Sequence, residues 1–267
     1  MVKPRLMKTM LEKNDKIIID QKINLFTYDI NQLNQIIDIN TSLDQTITFN
    51  INHNENLQIN LLSQTNVSIN LMLNNHNINQ TITFNLAKNS HLNLTIINLS
   101  TCQNITINNN LNETNAKIDL RSMTILNNKV NQDLKINIYH LASLTFGDMY
   151  NLGIVNDEAN LSLMGLNEIH FDMAKSESFQ KLQGIILSEN ASITVDPILI
   201  IDNFDVKAGH AATVGRLSEE EIFYITSRGI SIKEAKKMIV MGKIYLLLDS
   251  LDENVREKTI NQILERL

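Results

Sequence analysis

Tryptophan is absent from this chain of 267 residues, cysteine occurs once, at Cys102, and there are only eight glycines and two prolines. A single thiol excludes an intramolecular disulfide and any all-thiolate metal site built within one chain. So few glycines and prolines argue against a protein of many tight hairpins, whose primed turns need such residues. The formal charge of −6 comes without a basic block or aromatic–basic interleaving, which argues against nucleic acid as the main ligand. No run approaches the length of about eighteen apolar residues that a membrane span needs, and the basic first sixteen residues lack the apolar centre of a signal peptide. The expectation is a cytoplasmic protein that does not use a membrane.

Asparagine, isoleucine and leucine dominate instead, with asparagine concentrated before residue 138. After a short arm at 1–15, apolar and polar residues alternate in segments of four to eight. These lie at 22–26, 45–52, 56–61, 67–73, 81–86, 92–96, 104–108, 116–120 and 134–138. Period two over such lengths marks half-buried strands. Asparagine tolerates the left-handed conformation and can form the turns that glycine does not supply here. Gln-Thr-Ile-Thr-Phe-Asn at 45–50 recurs at 80–85, and 56–60 is echoed at 91–95, both at an offset of thirty-five residues. A constant offset predicts stacked rungs. Strands without intervening helices favour a parallel β-helix over a sandwich, with asparagines bonding along the stack and Ile and Leu in the bore. Less Asn-rich strands follow at 152–155, 160–164, 182–187 and 192–201, and Pro197 marks an edge or a bend.

Beyond Gly215 the period becomes helical. Ser218 with Glu221, and Ser231 with Glu234, read as capping boxes, and Leu217 with Ile222 as a hydrophobic staple. Arg228-Gly229 supplies a last-turn cation and a C-terminal glycine. A last helix starting at Asp252 brings Ile260, Ile263, Leu264 and Leu267 to one side. Exposed apolar faces on these helices serve either as a cap for the open end of the solenoid or as a docking surface. The organisation expected is an arm at 1–15, a β-helix core at 16–215 and a helical subdomain at 216–267.

Chemistry-bearing motifs are scarce. Gly242-Lys243-Ile244 lacks the upstream glycine and the hydroxyl of a nucleotide-binding loop, and no glycine-rich dinucleotide fingerprint follows a strand. Cys102 reads as a packing thiol, because no histidine lies near it in sequence. His53, His76 and His91 read as surface or corner residues, while His140 and His170 carry no signal. His210 differs, with Gly209 before it, Ala211 and Ala212 after it, and Asp202 and Asp205 upstream. A metal ligand and a structural histidine are both open on that local evidence.

The run at 205–215, Asp-Val-Lys-Ala-Gly-His-Ala-Ala-Thr-Val-Gly, is followed by Leu-Ser-Glu-Glu-Glu-Ile-Phe-Tyr at 217–224 and Ser-Arg-Gly-Ile-Ser at 227–231. Together they resemble the C-terminal signature of the SufB–SufD family of iron–sulfur cluster assembly scaffolds, in wording closer to SufD. Further matching residues lie between 160 and 250, with Pro197 in the family's place. The resemblance implies a right-handed parallel β-helix with a C-terminal helical subdomain, in a short form without most of the family's N-terminal helical domain. It also implies a non-catalytic scaffold that pairs with a SufB-like subunit and docks a SufC-like ABC ATPase, with a cysteine desulfurase delivering sulfur indirectly. His210 matches a family histidine at the subunit interface, where a transient iron–sulfur cluster is implied. The partner-facing set is Asp205, Lys207, His210, Thr213, Phe223, Tyr224 and Arg228. Ala208 stands where many relatives have cysteine, so no stable cofactor is expected on this chain, and reduced flavin only in the complex. Two alternatives remain. One is a homodimeric scaffold that assembles the cluster itself. The other is a β-helical carbohydrate-active protein with acidic pairs along one sheet, against which the scarcity of aromatics counts.

Overall fold

The computed structural model describes residues 16–19, 26–31, 34–41, 45–52, 55–76 and 78–267. The arm expected at 1–15, residues 22–25 of the first predicted strand, and His53 lie outside the described residues. Among the described residues, sixteen strands follow one another before any helix. They begin with β1 (Lys16–Ile19), β2 (Phe26–Ile30), β3 (Asn34–Ile39), β4 (Thr46–Ile51), β5 (Asn56–Leu61) and β6 (Asn66–Leu73). Next come β7 (Asn79–Leu86), β8 (His91–Asn98), β9 (Asn104–Leu111), β10 (Lys117–Leu126) and β11 (Asn131–His140). The series closes with β12 (Phe146–Val155), β13 (Asn160–Ile169), β14 (Glu177–Ile186), β15 (Ser192–Ile201) and β16 (Lys207–Arg216). Odd strands form one eight-stranded sheet and even strands the other, with neighbouring strands parallel. Each rung therefore contributes one strand to each sheet, which is a two-sheet parallel β-solenoid.

The register corrects the period expected from the sequence echo. Thr46 pairs with Ser68, and Asn56 with Thr81, so stacked positions come round sooner than the echo implies. Segment 45–50 lies on the even sheet and segment 80–85 on the odd one, so the echo joins opposite sheets and is not the stacking repeat. There is no single repeat. Lys16 meets Ile36 one rung on, whereas Asn160 meets Ser192, so a later rung takes up more chain than an early one. Strands lengthen in step, from four residues in β1 to ten in β16.

Alternation turns one face of each strand into the bore, where Ile59, Phe84, Leu120, Ile136 and Leu182 belong to a continuous buried cluster. Asparagine serves in two ways outside it. Asn89, Asn115 and Asn128 take positive φ at corners, and Asn115 donates to Asn89 one rung away at 3.0 Å. On the odd sheet Asn60 donates to Asp38, Asn85 to Asn60 and Asn110 to Asn85, at 2.8 to 2.9 Å. The predicted asparagine stacking is thus present on both corners and flat faces. Pro197 lies on β15, the edge of the odd sheet, where the lost backbone donor costs no ladder bond.

Three helices follow: α1 (Glu219–Thr226), α2 (Ile232–Leu248) and α3 (Glu253–Arg266). Their start signals hold, since Ser218 Oγ accepts from Glu221 N, Ser231 Oγ from Glu234 N, and Asp252 from Asn254 N and Val255 N. The C-terminal end of α1 differs by a residue: the cap is Ser227, Arg228 lies beyond the last turn, and Gly229 takes the left-handed φ of 86°. The helices do not cap the solenoid's end. Val240, Ile244, Leu248 and Ile263 pack instead on the outer face of the even sheet, against Met72, Ile97, Met123 and Leu152. Those four residues are a single register row across β6, β8, β10 and β12. The C-terminal halves of these strands are consequently buried on both faces.

Candidate functional site

The solenoid ends without a cover among the described residues. β15 is the last strand of the odd sheet and β16 the last of the even one, so two adjacent edges present unpaired backbone groups at one end. Neighbouring positions on β16 are small: Ala208, Gly209, Ala211, Ala212 and Gly215. Residues 210–216 are all exposed.

Register places the histidine. On β14 the buried Ser178, Gln180 and Leu182 face the bore, and their partners one rung on are Ala208, His210 and Ala212. His210 thus occupies the bore-facing row of the final rung and is exposed only because no further strand lies above it. Gln180 beneath it donates from Nε2 to the Ile198 carbonyl at 2.7 Å, which ties the two sheets together under the mouth. Lys207 and Thr213 belong to the opposite, outer face. Lys207 Nζ bonds Glu177 at 2.7 Å, and that contact raises the lysine's pKa. Asp205 sits in the preceding corner, where its carbonyl accepts from Lys175 N at 2.6 Å.

The remaining nominated residues are on or just after α1. Phe223 and Tyr224 are exposed, and the Arg228 guanidinium lies 4.2 Å from the Tyr224 ring centre while donating to its hydroxyl. A groove of about 360 Å³ runs between α1 and α2, lined by Tyr224, Ile225, Met238 and Ile239. Thr213 opens on a separate cavity of about 280 Å³ at the start of α1. The seven residues therefore do not form one site: Asp205 is at a corner, His210 at the bore mouth, Lys207 and Thr213 on the outer face of β16, and Phe223, Tyr224 and Arg228 on or just after α1.

As a metal centre the mouth offers one imidazole among alanines and Val214. Among the described residues no group of three or more His, Cys, Asp or Glu is placed to hold a metal. Cys102 is buried, bonds the Asn104 carbonyl, and has its pKa raised by burial, so it faces nothing that could be bound. The residues present do not fit a resident cluster.

Sequence reasoning passes over His140. It is fully buried, with Nδ1 2.7 Å from Thr145 Oγ1 and Nε2 2.9 Å from Ser178 Oγ. Asn167 donates to the same Ser178 oxygen, also at 2.9 Å. With Asn167 as donor, Ser178 gives its proton to Nε2, and Nδ1–H donates to Thr145. Burial pushes the imidazole pKa down to about 4, so the ring is neutral. Its sequence signal is weak: one histidine at the end of an alternating strand.

An open-ended parallel β-solenoid with a helical flank is the class of protein this fold defines, one that presents strand edges and helix faces. The comparison with protein families makes the assignment: this chain belongs to the SufBD core domain family of SUF system FeS cluster assembly, whose model matches residues 32–243. It is 28% identical over 148 residues to the iron–sulfur cluster assembly protein SufD of Bacillus subtilis, covering 55% of this chain and 34% of that protein. It is 32% identical over 115 residues to the SufD of Escherichia coli, covering 43% and 27%. A SufBD family protein of Mycobacterium leprae is 29% identical over 127 residues, covering 48% and 15%. The matched region spans about a third or less of these relatives. The resemblance read from residues 205–231 and the parallel β-helix with C-terminal helices are both borne out. Among the described residues no helix is long and apolar enough to cross a membrane.

Proposed function

We propose that this chain is a SufD-like, non-catalytic scaffold subunit of a cytoplasmic Suf iron–sulfur cluster assembly complex. The observation that carries this reading is the pair of adjacent unpaired edges, β15 and β16, with His210 in the bore-facing row between them. Small residues on β16 let another backbone approach, and parallel edges pair readily with a second solenoid of like spacing. The partner is a SufB-like subunit. His210 then contributes a single imidazole to a transient cluster whose other ligands come from that partner, and reduced flavin binds only in the assembled complex. Tyr224, stacked by Arg228, lines the groove between α1 and α2, and Phe223 is exposed on the same helix; this helical surface docks a SufC-like ATPase. A cysteine desulfurase reaches the complex through the partner rather than through this chain.

Co-purification tests the two contacts separately. Ala212→Lys puts a cation into the mouth and is expected to abolish capture of the SufB-like subunit while leaving capture of the SufC-like ATPase intact. Phe223→Ala with Tyr224→Ala is expected to do the reverse. Failure of the native chain to bind either partner overturns the proposal. The homodimeric alternative predicts a stable cluster after the isolated chain is given iron and sulfide, read by absorbance. The buried Cys102 argues against that outcome.

A further inference from the structure

A further cavity lies away from the mouth's histidine and from the helical groove. It is an open trough of about 500 Å³ at one corner of the solenoid, lined by His91, Lys117, Asp119, Leu144, Phe146 and Lys175 among others. Through Lys175 and Glu177 it runs into a second trough of about 310 Å³ beside Phe204. Its axis crosses the strands, because Lys117, Phe146, Glu177 and Lys207 are register partners on four successive strands of the even sheet. At a strand spacing of about 4.8 Å that row is roughly 14 Å long, the reach of about four extended residues.

Its charges are unevenly compensated. His91 Nε2 lies 2.8 Å from Asp119, whose pKa that hydrogen bond lowers, and Lys207 bonds Glu177. Three lysines, Lys117, Lys175 and Lys207, line the two troughs with three carboxylates, Asp119, Glu177 and Asp205, on a chain whose formal charge is −6. Lys117 lies close enough to Asp119 to lower its pKa, and Lys175 makes no ion pair among the described residues. Apolar surface lies between and beyond them: Leu144 is 46% exposed and Phe204 fully so. Leu144 and Lys175 also hold left-handed backbone, φ 62° and 58°, which bulky side chains rarely adopt. A compact metabolite prefers an enclosed pocket that covers most of its surface. An open trough with a few exposed apolar side chains and lysines spaced along it suits an extended acidic chain.

We propose that this corner is a docking site for an acidic peptide segment carrying one large apolar side chain. Its carboxylates meet Lys117 and Lys175, and its apolar residue lies on Leu144 and Phe146. The site is distinct from the bore mouth, although Lys207 at its far end lies on β16.

The probe is a short fluorescein-labelled peptide of glutamates around a central phenylalanine, titrated with the full chain and read by anisotropy. Saturable binding is expected, weakened at least about tenfold by the double variant Lys117→Glu, Lys175→Glu. The same peptide with lysines for glutamates is expected to bind the native chain poorly and the charge-reversed variant better. Both lysines are exposed, so circular dichroism should report unchanged folding. No saturable binding by the native chain, or equal affinity of native and variant chains, overturns the proposal. No Suf partner is present in the assay, so its failure is separable from failure of the complex.

Discussion

His140 is a base kept from its proton by burial, and the sign of the consequence follows from linkage. Its pKa falls to about 4 in the folded chain against an ordinary 6.5, so between those values the unfolded chain binds more protons. Stability from this residue is whole above pH 6.5 and is lost as pH falls through about 4, by about 3 kcal/mol in all. Urea unfolding at pH 7.5 and pH 4.5 should differ by less in His140→Gln than in the native chain. An equal difference would mean that other groups, such as the His91-bonded Asp119, carry the dependence. Gly165 is a second residue-scale constraint. A Cβ there would stand 2.7 Å from Gln180 Oε1 and 2.9 Å from Leu182 Cδ1, inside the bore below the mouth. Gly165→Ala is expected to lower stability by about 1–3 kcal/mol in thermal unfolding, the usual range for overpacking. A neutral effect would show that Gln180 moves aside freely.

At the scale of elements, the asparagine rows join rungs that are otherwise held by backbone bonds and bore packing. Asn85 both donates to Asn60 and accepts from Asn110, in a row that ends on the Asp38 carboxylate. Asn85→Ala removes both bonds, and a loss of about 1–2 kcal/mol is expected in chemical denaturation. A loss no greater than that of an exposed, unbonded asparagine would reduce the row to decoration. Strand positions are largely legible because alternation is a local property. The exceptions have physical causes. β3 is hidden in the sequence because Ile36 and Ile37 are consecutive, although Ile36 is 40% exposed and of the two only Ile37 faces the bore. β10 reads as half its length because its later residues, Met123 to Leu126, are buried on both faces. β12 and β14 show only their later halves, because Gly147, Ser178 and Gln180 take inward positions in the earlier ones and break the apolar alternation. The later halves of all three strands are largely apolar runs. Those runs mark where α2 and α3 lie, a signal available in the sequence but without a named partner until the chain folds.

Across the whole molecule, rungs widen along the chain and strands lengthen from four residues to ten. Solenoid stability is roughly a sum of rung terms and nearest-neighbour terms, so it should rise along the chain. Hydrogen exchange is expected to be fastest in β3 to β5 and slowest in β11 to β14, with intermediate protection between them. Uniform protection would instead indicate a single cooperative unit locked by α2 and α3, which reach from β14 back to β6. The two surfaces proposed for the SufB-like and SufC-like partners also belong to this scale. Both are terminal features, one a pair of exposed edges and the other an exposed helical groove, and neither depends on the narrow first rungs.

Local sequence was sufficient for most strands, asparagine corners, helix caps, an edge at Pro197 and the family signature around His210. These depend on alternation, backbone preference and residue identity over a few positions. The rung period, the side on which the helices lie, and the row that His210 occupies were decided by tertiary structure alone. Each depends on register between strands a full rung apart, and a shift by one residue exchanges the bore for the outer face. At Lys207 to Thr213 that single parity separates the histidine at the mouth from the lysine on the flank.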